Sequence, residues 1–472
     1  MPSTPVPAEA RRRGARADLV AVAAVVLLVV AAAVVGRVLL AGGADLLLPF
    51  PPLLARWLPH AGPGTPVAVV VAVAVVGWGP SVAATTAWRR LLPLAWAAAT
   101  AWTLGLALVD GWRRGVVERL TSTEEYLHDV PRAGDVAGML RTFADHILTD
   151  QPVHWTTHVG AHPPGVLLFY VLLDRVGLGG GGPSGVVTVL VGASACVAVA
   201  VALRALGGED GEDLARRVLP FGVLLPGAVW VGVSADGMFA AVLAWGTALV
   251  AVGAARDGPR GDLAAAAGGV LLGGALYLSY GLVLGLLLPL AVIVSARSGR
   301  AAVCATAGVA AVAAAFTAAG FWWLTGLARV QVIYAASIAA SRPYAYFVWA
   351  NLAAVAIAVG PAGWAGLGRA AVAPRALSTG AAPPIGAALS PGPALSPGPA
   401  RRPGPVLLVA AALAAVVVAD LTGLSKAEVE RIWLPFAVWL VVPCALLPRP
   451  RVWLAAQALL ALAVNHLLLT VW

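Results

Sequence analysis

Apolar residues run along this chain in long unbroken blocks, neither on alternate positions nor on one face of a helical turn. At 1.5 Å of rise per residue, about 20 apolar residues cross the hydrocarbon core of a bilayer. Thirteen blocks of that kind are predicted as spans: 18–41, 64–82, 91–109, 184–206, 218–234, 237–255, 262–279, 281–296, 302–324, 347–367, 406–421, 432–447 and 452–471. In lipid the backbone must satisfy its own hydrogen bonds, so these blocks predict an all-α fold, a polytopic membrane helical bundle. A transmembrane barrel is excluded, because its strands alternate apolar and polar positions. One further apolar stretch, 163–178, is ambiguous by length.

The polar interruptions divide the chain. A basic N-terminus covers 1–17. A membrane-embedded body covers 18–368 and carries one long loop, 110–162. Within that loop Val136, Met139, Leu140, Phe143 and Ile147 share one helical face, which predicts an amphipathic helix lying in the membrane interface. A linker covers 369–405. From 376 onward it has no apolar periodicity and repeats Leu-Ser-Pro-Gly-Pro-Ala at 389–394 and 395–400, a composition that cannot pack a core. A three-span segment, 406–472, follows.

Composition agrees with this division. Hydrophobic residues make up 60 % of the chain and charged residues 11 %, which excludes a water-soluble domain. The net charge of +9 comes almost wholly from arginine, Lys426 being the single lysine. The arginines sit at span ends (Arg11-Arg12-Arg13, Arg89-Arg90, Arg216-Arg217, Arg401-Arg402), so the charge reads as positive-inside topology and not as a nucleic-acid surface. That bias holds along the whole chain only if 163–178 does not cross. The stretch is therefore predicted as a re-entrant or interfacial segment, in a cytoplasmic-membrane protein with its N-terminus in the cytoplasm. Cys196, Cys304 and Cys444 are far apart, lie in or beside apolar blocks, match no metal spacing and read as inert buried thiols.

The same topology puts the chemically versatile residues on the extracytoplasmic side. Glu124 and Glu125 form an acidic pair with Asp129 close behind; such carboxylates act as a general base or hold a divalent ion. Beyond them stands Thr157-His158-Val159-Gly160-Ala161-His162-Pro163-Pro164-Gly165. The prolines and Gly160 work against a helix that would set His158 and His162 as a metal pair, so hydrogen bonding to a phosphate or to a loop carboxylate is the favoured role. Asp236 reads equally as a helix cap beside Ser234 or as part of a site. Lys426, Glu428, Glu430 and Arg431 precede a span; basic groups there suit a lipid phosphate, or else anchor the span at the interface. Arg329, Arg342 and Tyr344 are weaker candidates. No P-loop, Gly-x-Ser-x-Gly or zinc-protease motif is present.

An acidic pair in a long outer loop, an interfacial helix and His162-Pro163-Pro164-Gly165 before a short apolar segment resemble the GT-C membrane glycosyltransferases, nearest to the protein O-mannosyltransferase and aminoarabinose-transferase group. Arg216-Arg217 and Ser234-Ala235-Asp236-Gly237-Met238-Phe239 resemble that group's next elements. The likeness covers roughly 90–260, with an echo near 425–436; here the pair is Glu-Glu and Gly165 follows the prolines. It implies transfer of a sugar from a polyprenyl-phosphate carrier to an extracytoplasmic acceptor. Glu124, Glu125 and Asp129 would be catalytic. His158, His162, Asp236, Lys426, Glu430 and Arg431 would bind substrate. A Mg or Mn ion, where one is used, would sit on Glu125 and Asp236. The donor lipid and the bilayer are the implied partners, and no other cofactor is expected. A lipid or solute transporter, or a non-catalytic member of an envelope assembly, are the rival readings.

Overall fold

The computed structural model describes residues 8–372 and 403–471. Among them nine helices are long and apolar enough to cross a membrane: Arg12–Ala41, Thr65–Thr85, Trp88–Asp110, Gly181–Leu206, Ala235–Ala254, Pro259–Leu278, Gly299–Ala318, Tyr344–Val372 and Gly404–Leu421. Each coincides with a predicted span. The other four expected spans are broken or more polar. Block 218–234 breaks after Gly211–Val223 and resumes as Ala228–Val231. Block 281–296 opens as a 3-10 stretch, Tyr280–Leu286, before Leu287–Ala296. Block 432–447 consists of the short pieces Leu434–Ala437 and Val442–Leu446. Block 452–471 is Pro450–Leu467, which carries Gln457, Asn465 and His466.

Contacts sort the connections into two ends. At one end Arg369 pairs with Asp18, Arg216 donates to the carbonyls of Ala83 and Thr86, Arg300 pairs with Asp262, and Arg451 reaches Ser81. At the other end lie the acidic loop and the two histidines. Segment 163–178 stays at this second end. It forms Gly165–Leu173 and a wide turn, Asp174–Leu178, and Arg175 donates to the Gly134 carbonyl at 2.8 Å. Gly165 presses on the backbone of Tyr277, where a Cβ would collide with the carbonyl, so the glycine after Pro163-Pro164 is a packing requirement.

Burial decides which helices form the middle of the bundle. Ala235–Ala254 has 72 % of its apolar window buried and the first helix only 11 %, so the latter lies at the rim with its valines and leucines facing outward. Glycine and alanine line the packed faces of Ala235–Ala254, Pro259–Leu278 and Gly299–Ala318, which lets their backbones approach closely, as membrane helices require. Tyr344–Val372 kinks at Gly360, whose φ of 78° only glycine adopts readily. The break frees backbone groups that lipid cannot satisfy. The buried Gln457 carboxamide does so, donating to the Val359 carbonyl at 3.0 Å and accepting from the Ala362 amide at 3.3 Å. Two short strands, Ala55–Trp57 and Leu468–Thr470, pair antiparallel and tie the first loop to the chain's last described residues.

The basic N-terminus is helical from Ala8, and the first helix runs unbroken to Ala41. Three expectations are corrected. The linker starts later than 369, because the helix continues to Val372 with Arg369 buried; the repeats lie outside the described residues. The amphipathic helix is only Val136–Thr142 plus a 3-10 turn, and its apolar face packs on protein, Phe143 stacking on Trp155 and meeting Phe321 edge-on. The C-terminal spans are part of the body: Gly404–Leu421 packs on Leu287–Ala296, and Arg431 reaches Asp236.

Candidate functional site at the loop end of the bundle

The site is assembled by a clamp. Asp129 is fully buried. Its Oδ1 accepts from Arg132 at 2.6 Å and its Oδ2 from the Thr156 amide at 2.8 Å. Arg132 also donates to the His154 carbonyl at 2.8 Å and lies over the Trp155 ring. This clamp pins segment 154–156 to the acidic loop, immediately before the helical turn Thr157–Ala161. With both oxygens engaged, Asp129 holds the loop in place.

The turn delivers His158 to Glu125. Glu125 is 3 % exposed and its Oε1 lies 2.7 Å from His158 Nδ1. A carboxylate accepts, so Nδ1 donates, and Glu125 Oε2 has no protein partner among the described residues. Glu124 is exposed and bonds to the Thr123 hydroxyl at 2.9 Å, which draws its carboxyl below the usual range. Adjacent residues in an extended segment point to opposite sides, and only Glu125 faces inward.

A second ion network meets this pair. Ser234 caps Ala235–Ala254 through the Gly237 amide, which leaves Asp236 available. Asp236 Oδ2 accepts from Arg431 Nη1 at 2.6 Å, and Arg431 Nη2 donates to Glu428 Oε2 at 2.9 Å. Arg342 approaches Glu428 at 3.8 Å. Burial opposes the charge on Arg431, but Asp236 and Glu428 outweigh it and hold the guanidinium above its ordinary value. Burial likewise raises Glu428, and Arg431 outweighs that, leaving the carboxyl below its usual range. Glu125 also acts electrostatically on Arg431, so the two networks form one cluster.

The loop presenting Arg431 is strained. Ala427 and Glu428 both have positive φ, costly for residues with a Cβ. Asn351 holds it in place, accepting from the Ala427 amide and donating to the Ser425 carbonyl. Lys426 donates to the carbonyls of Ala340 and Arg342 at 2.8 and 2.9 Å, so its ammonium stitches two loops together. Arg329 pairs with Asp145, and Tyr344 donates to the Leu421 carbonyl; neither belongs to the cluster.

Glu430 is 1 % exposed. Its Oε1 accepts weakly from the Leu54 amide at 3.5 Å, and its Oε2 is buried without a partner. Burial, reinforced by Glu428, pushes its carboxyl up to about 7. The folded state therefore keeps a proton that the unfolded chain gives up near the ordinary glutamate value. This group's contribution to stability is intact in acid, is lost as pH rises toward 7, and stays lost above it. Glu430→Gln is expected to stabilise the protein at pH 8, by up to about 3 kcal/mol, and to have little effect near pH 5. Thermal unfolding of both proteins at the two pH values checks this; equal shifts would contradict it.

The carboxylates expected to hold Mg or Mn do not fit a divalent ion as arranged. Glu125 already accepts from His158, and Asp236 is neutralised by the Arg431 guanidinium. Among the described residues no three His, Cys, Asp or Glu side chains gather as a metal site. A cavity of about 350 Å³ opens at the opposite end of the bundle, walled by Pro80, Arg216, Arg217, Phe221, Arg369 and Cys444. Its arginines pair with Glu212, Asp213 and Asp18.

Of the residues expected to form the site, Glu125, His158, His162, Asp236 and Arg431 lie together; Glu124 is exposed, Asp129 is spent on Arg132 and the Thr156 amide, Lys426 on backbone carbonyls, and Glu430 lies against the Leu54 amide. Sequence reasoning gave no role to Tyr126 or Glu428 and only a weaker phosphate-binding role to Arg342. Tyr126 could have been noticed as the one aromatic ring inside the acidic loop. No protein-family profile matches the chain, and no curated protein matches it.

Proposed function

We propose that the protein is a membrane glycosyltransferase that moves a sugar from a polyprenyl-phosphate carrier to an acceptor hydroxyl on the extracytoplasmic face of the cytoplasmic membrane. One observation carries the reading. Side chains from segments 124–129, 157–162, 234–236 and 428–431 converge as a buried carboxylate–imidazole pair beside a carboxylate–guanidinium network. The cluster lies at the end of the bundle opposite the arginine-flanked connections, which the positive-inside rule assigns to the cytoplasm.

In this reading Glu125 is the base. Its carboxylate takes the proton of the acceptor hydroxyl, the hydroxyl oxygen bonds to the anomeric carbon, and the bond from that carbon to the carrier phosphate breaks. His158 orients the carboxylate. Charge grows on the leaving phosphate, and Arg431 and Arg342 supply the fixed positive charge that stabilises it in a water-poor site. Lys426 is committed to backbone carbonyls and is left out of this role.

The test is transfer from a radiolabelled polyprenyl-phosphate sugar by the purified protein in liposomes supplemented with envelope membranes. Label is expected to move into a product no longer extractable as donor. Release or transfer no greater than in protein-free liposomes, across a panel of hexose and pentose donors, would overturn the proposal. Reporter fusions after Gln151 and Leu424 should both read as extracytoplasmic; opposite faces would remove the active centre.

A further inference from the structure

The geometry points to His162 as a hydroxyl-recognition residue, a neutral imidazole whose Nε2 lone pair accepts a hydrogen bond from a sugar or acceptor hydroxyl. The inference deepens the glycosyl-transfer reading and rests on it for the identity of the ligand, though not for the state of the ring.

The ring's own hydrogen bond fixes its tautomer. His162 Nδ1 lies 2.8 Å from the backbone carbonyl of His158. A carbonyl only accepts, so Nδ1 carries the hydrogen and Nε2 carries the lone pair. Nε2 has no protein partner among the described residues. The ring is held edge-on against Tyr126 at 5.8 Å and tilted against Phe239 at 5.7 Å, on a backbone stiffened by Pro163 and Pro164, so it cannot turn freely to exchange its nitrogens.

Tyr126 completes the recognition. Its phenol oxygen lies 3.3 Å from the same Nδ1. Because that nitrogen keeps its hydrogen for the carbonyl, the phenol can only accept there, and its own O–H remains unspent. Burial, reinforced by Glu125 and Asp236, holds the phenol far above its ordinary value, so the O–H stays in place. Burial also draws the His162 ring down to about 4. Asp236 and the His158 carbonyl oppose this, while His158 and Arg431 add to it. The result is an acceptor on one residue and a donor on the residue packed against it. A polyol presents hydroxyls that both donate and accept, and suits the two groups. An ionised phosphate oxygen only accepts, and would face a lone pair at Nε2. The role expected of His162 from sequence, hydrogen bonding to a phosphate, is thereby replaced by one for a polyol.

The test has a spectroscopic and a kinetic arm. The full-length protein in nanodiscs carries ring-¹⁵N histidine, and His162→Gln assigns the resonance. The expected spectrum is a neutral ring with hydrogen on Nδ1, unchanged between pH 5.5 and 8, although His158, Tyr126, Asp236 and Arg431 all lie nearby. Methyl glycosides should shift the Nε2 resonance and inorganic phosphate should not. A charged ring at pH 7, hydrogen on Nε2, or a response to phosphate alone overturns the inference even if transfer is observed. An absence of transfer with the expected spectrum sinks the enzyme reading and leaves the ring assignment standing.

In the kinetic arm, His162→Ala is expected to lose about 10-fold in kcat/KM, the size of one hydrogen bond. Inhibition by free polyprenyl phosphate should be unchanged, and His162→Gln, which keeps an acceptor, should recover part of the loss. Donors lacking single sugar hydroxyls locate the partner. If one deoxy donor costs the wild type as much as the His162→Ala change and costs the variant nothing more, the hydroxyl is the donor's. If no donor does so and the acceptor KM rises, it is the acceptor's. A loss confined to polyprenyl-phosphate affinity overturns the proposal.

Discussion

Glu125→Gln is expected to lower sugar transfer by about 10²–10⁴-fold, the usual worth of a positioned general base, while Glu124→Gln remains close to wild type. The two residues are neighbours in sequence and chemically identical, so composition cannot separate them. The extended backbone at Glu125 separates them by turning one side chain to solvent and the other onto His158. Gln keeps the shape of Glu125 and can still accept from His158 Nδ1, so the fold should survive and the loss should appear in kcat. Transfer assays on the two single variants, with thermal unfolding as a folding control, measure this. Equal losses in both variants, or a silent Glu125→Gln, would take the base out of the proposed mechanism.

Arg431→Met is expected to destabilise the protein by about 3–5 kcal/mol, more than any other single substitution in the cluster. Arg431 is the common partner of Asp236 and Glu428, and both of its ion pairs are largely shielded from water. Removing the cation strands two carboxylates in a medium that solvates them poorly. If stranded charge is the cause, adding Asp236→Asn and Glu428→Gln to Arg431→Met should restore most of the lost stability without restoring transfer. Thermal unfolding in one detergent across the single and triple variants distinguishes this from simple loss of packing, which the added changes would not repair. A single variant within about 1 kcal/mol of wild type would mean that the pairs are worth no more than exposed ones.

Particular residues show where sequence reading reached its limit. The nine long helices were legible because hydrophobic run length depends only on local composition and bilayer thickness. The three broken spans were not. Apolar content hides a break such as the one between Val223 and Ala228, and Gln457, which satisfies the Gly360 kink, lies almost a hundred residues away. Asp236 was ambiguous in sequence because Ser234 and Asp236 cap helices equally well; the fold gave the cap to Ser234 and the ion pair to Asp236. Asp129 and Lys426 looked like active-site chemistry, since a carboxylate and an ammonium in an outer loop look the same whether they meet a substrate or the backbone. Only their partners, the Thr156 amide and the carbonyls of Ala340 and Arg342, reveal what they do.

The sequence by itself determined the helical membrane class, the approximate positions of the nine long apolar helices and the grouping of ionisable loops at one end. These follow from hydrophobic length and the placement of arginine, which act residue by residue along the chain. The tertiary structure alone decided which of two adjacent glutamates faces inward, which nitrogen of His162 holds its hydrogen, and that one guanidinium joins a carboxylate 195 positions away to another three positions away. Such choices depend on hydrogen bonds and ion pairs between distant segments. Their energies change sign with burial and with displacements of an ångström, and neither quantity exists until the chain has folded.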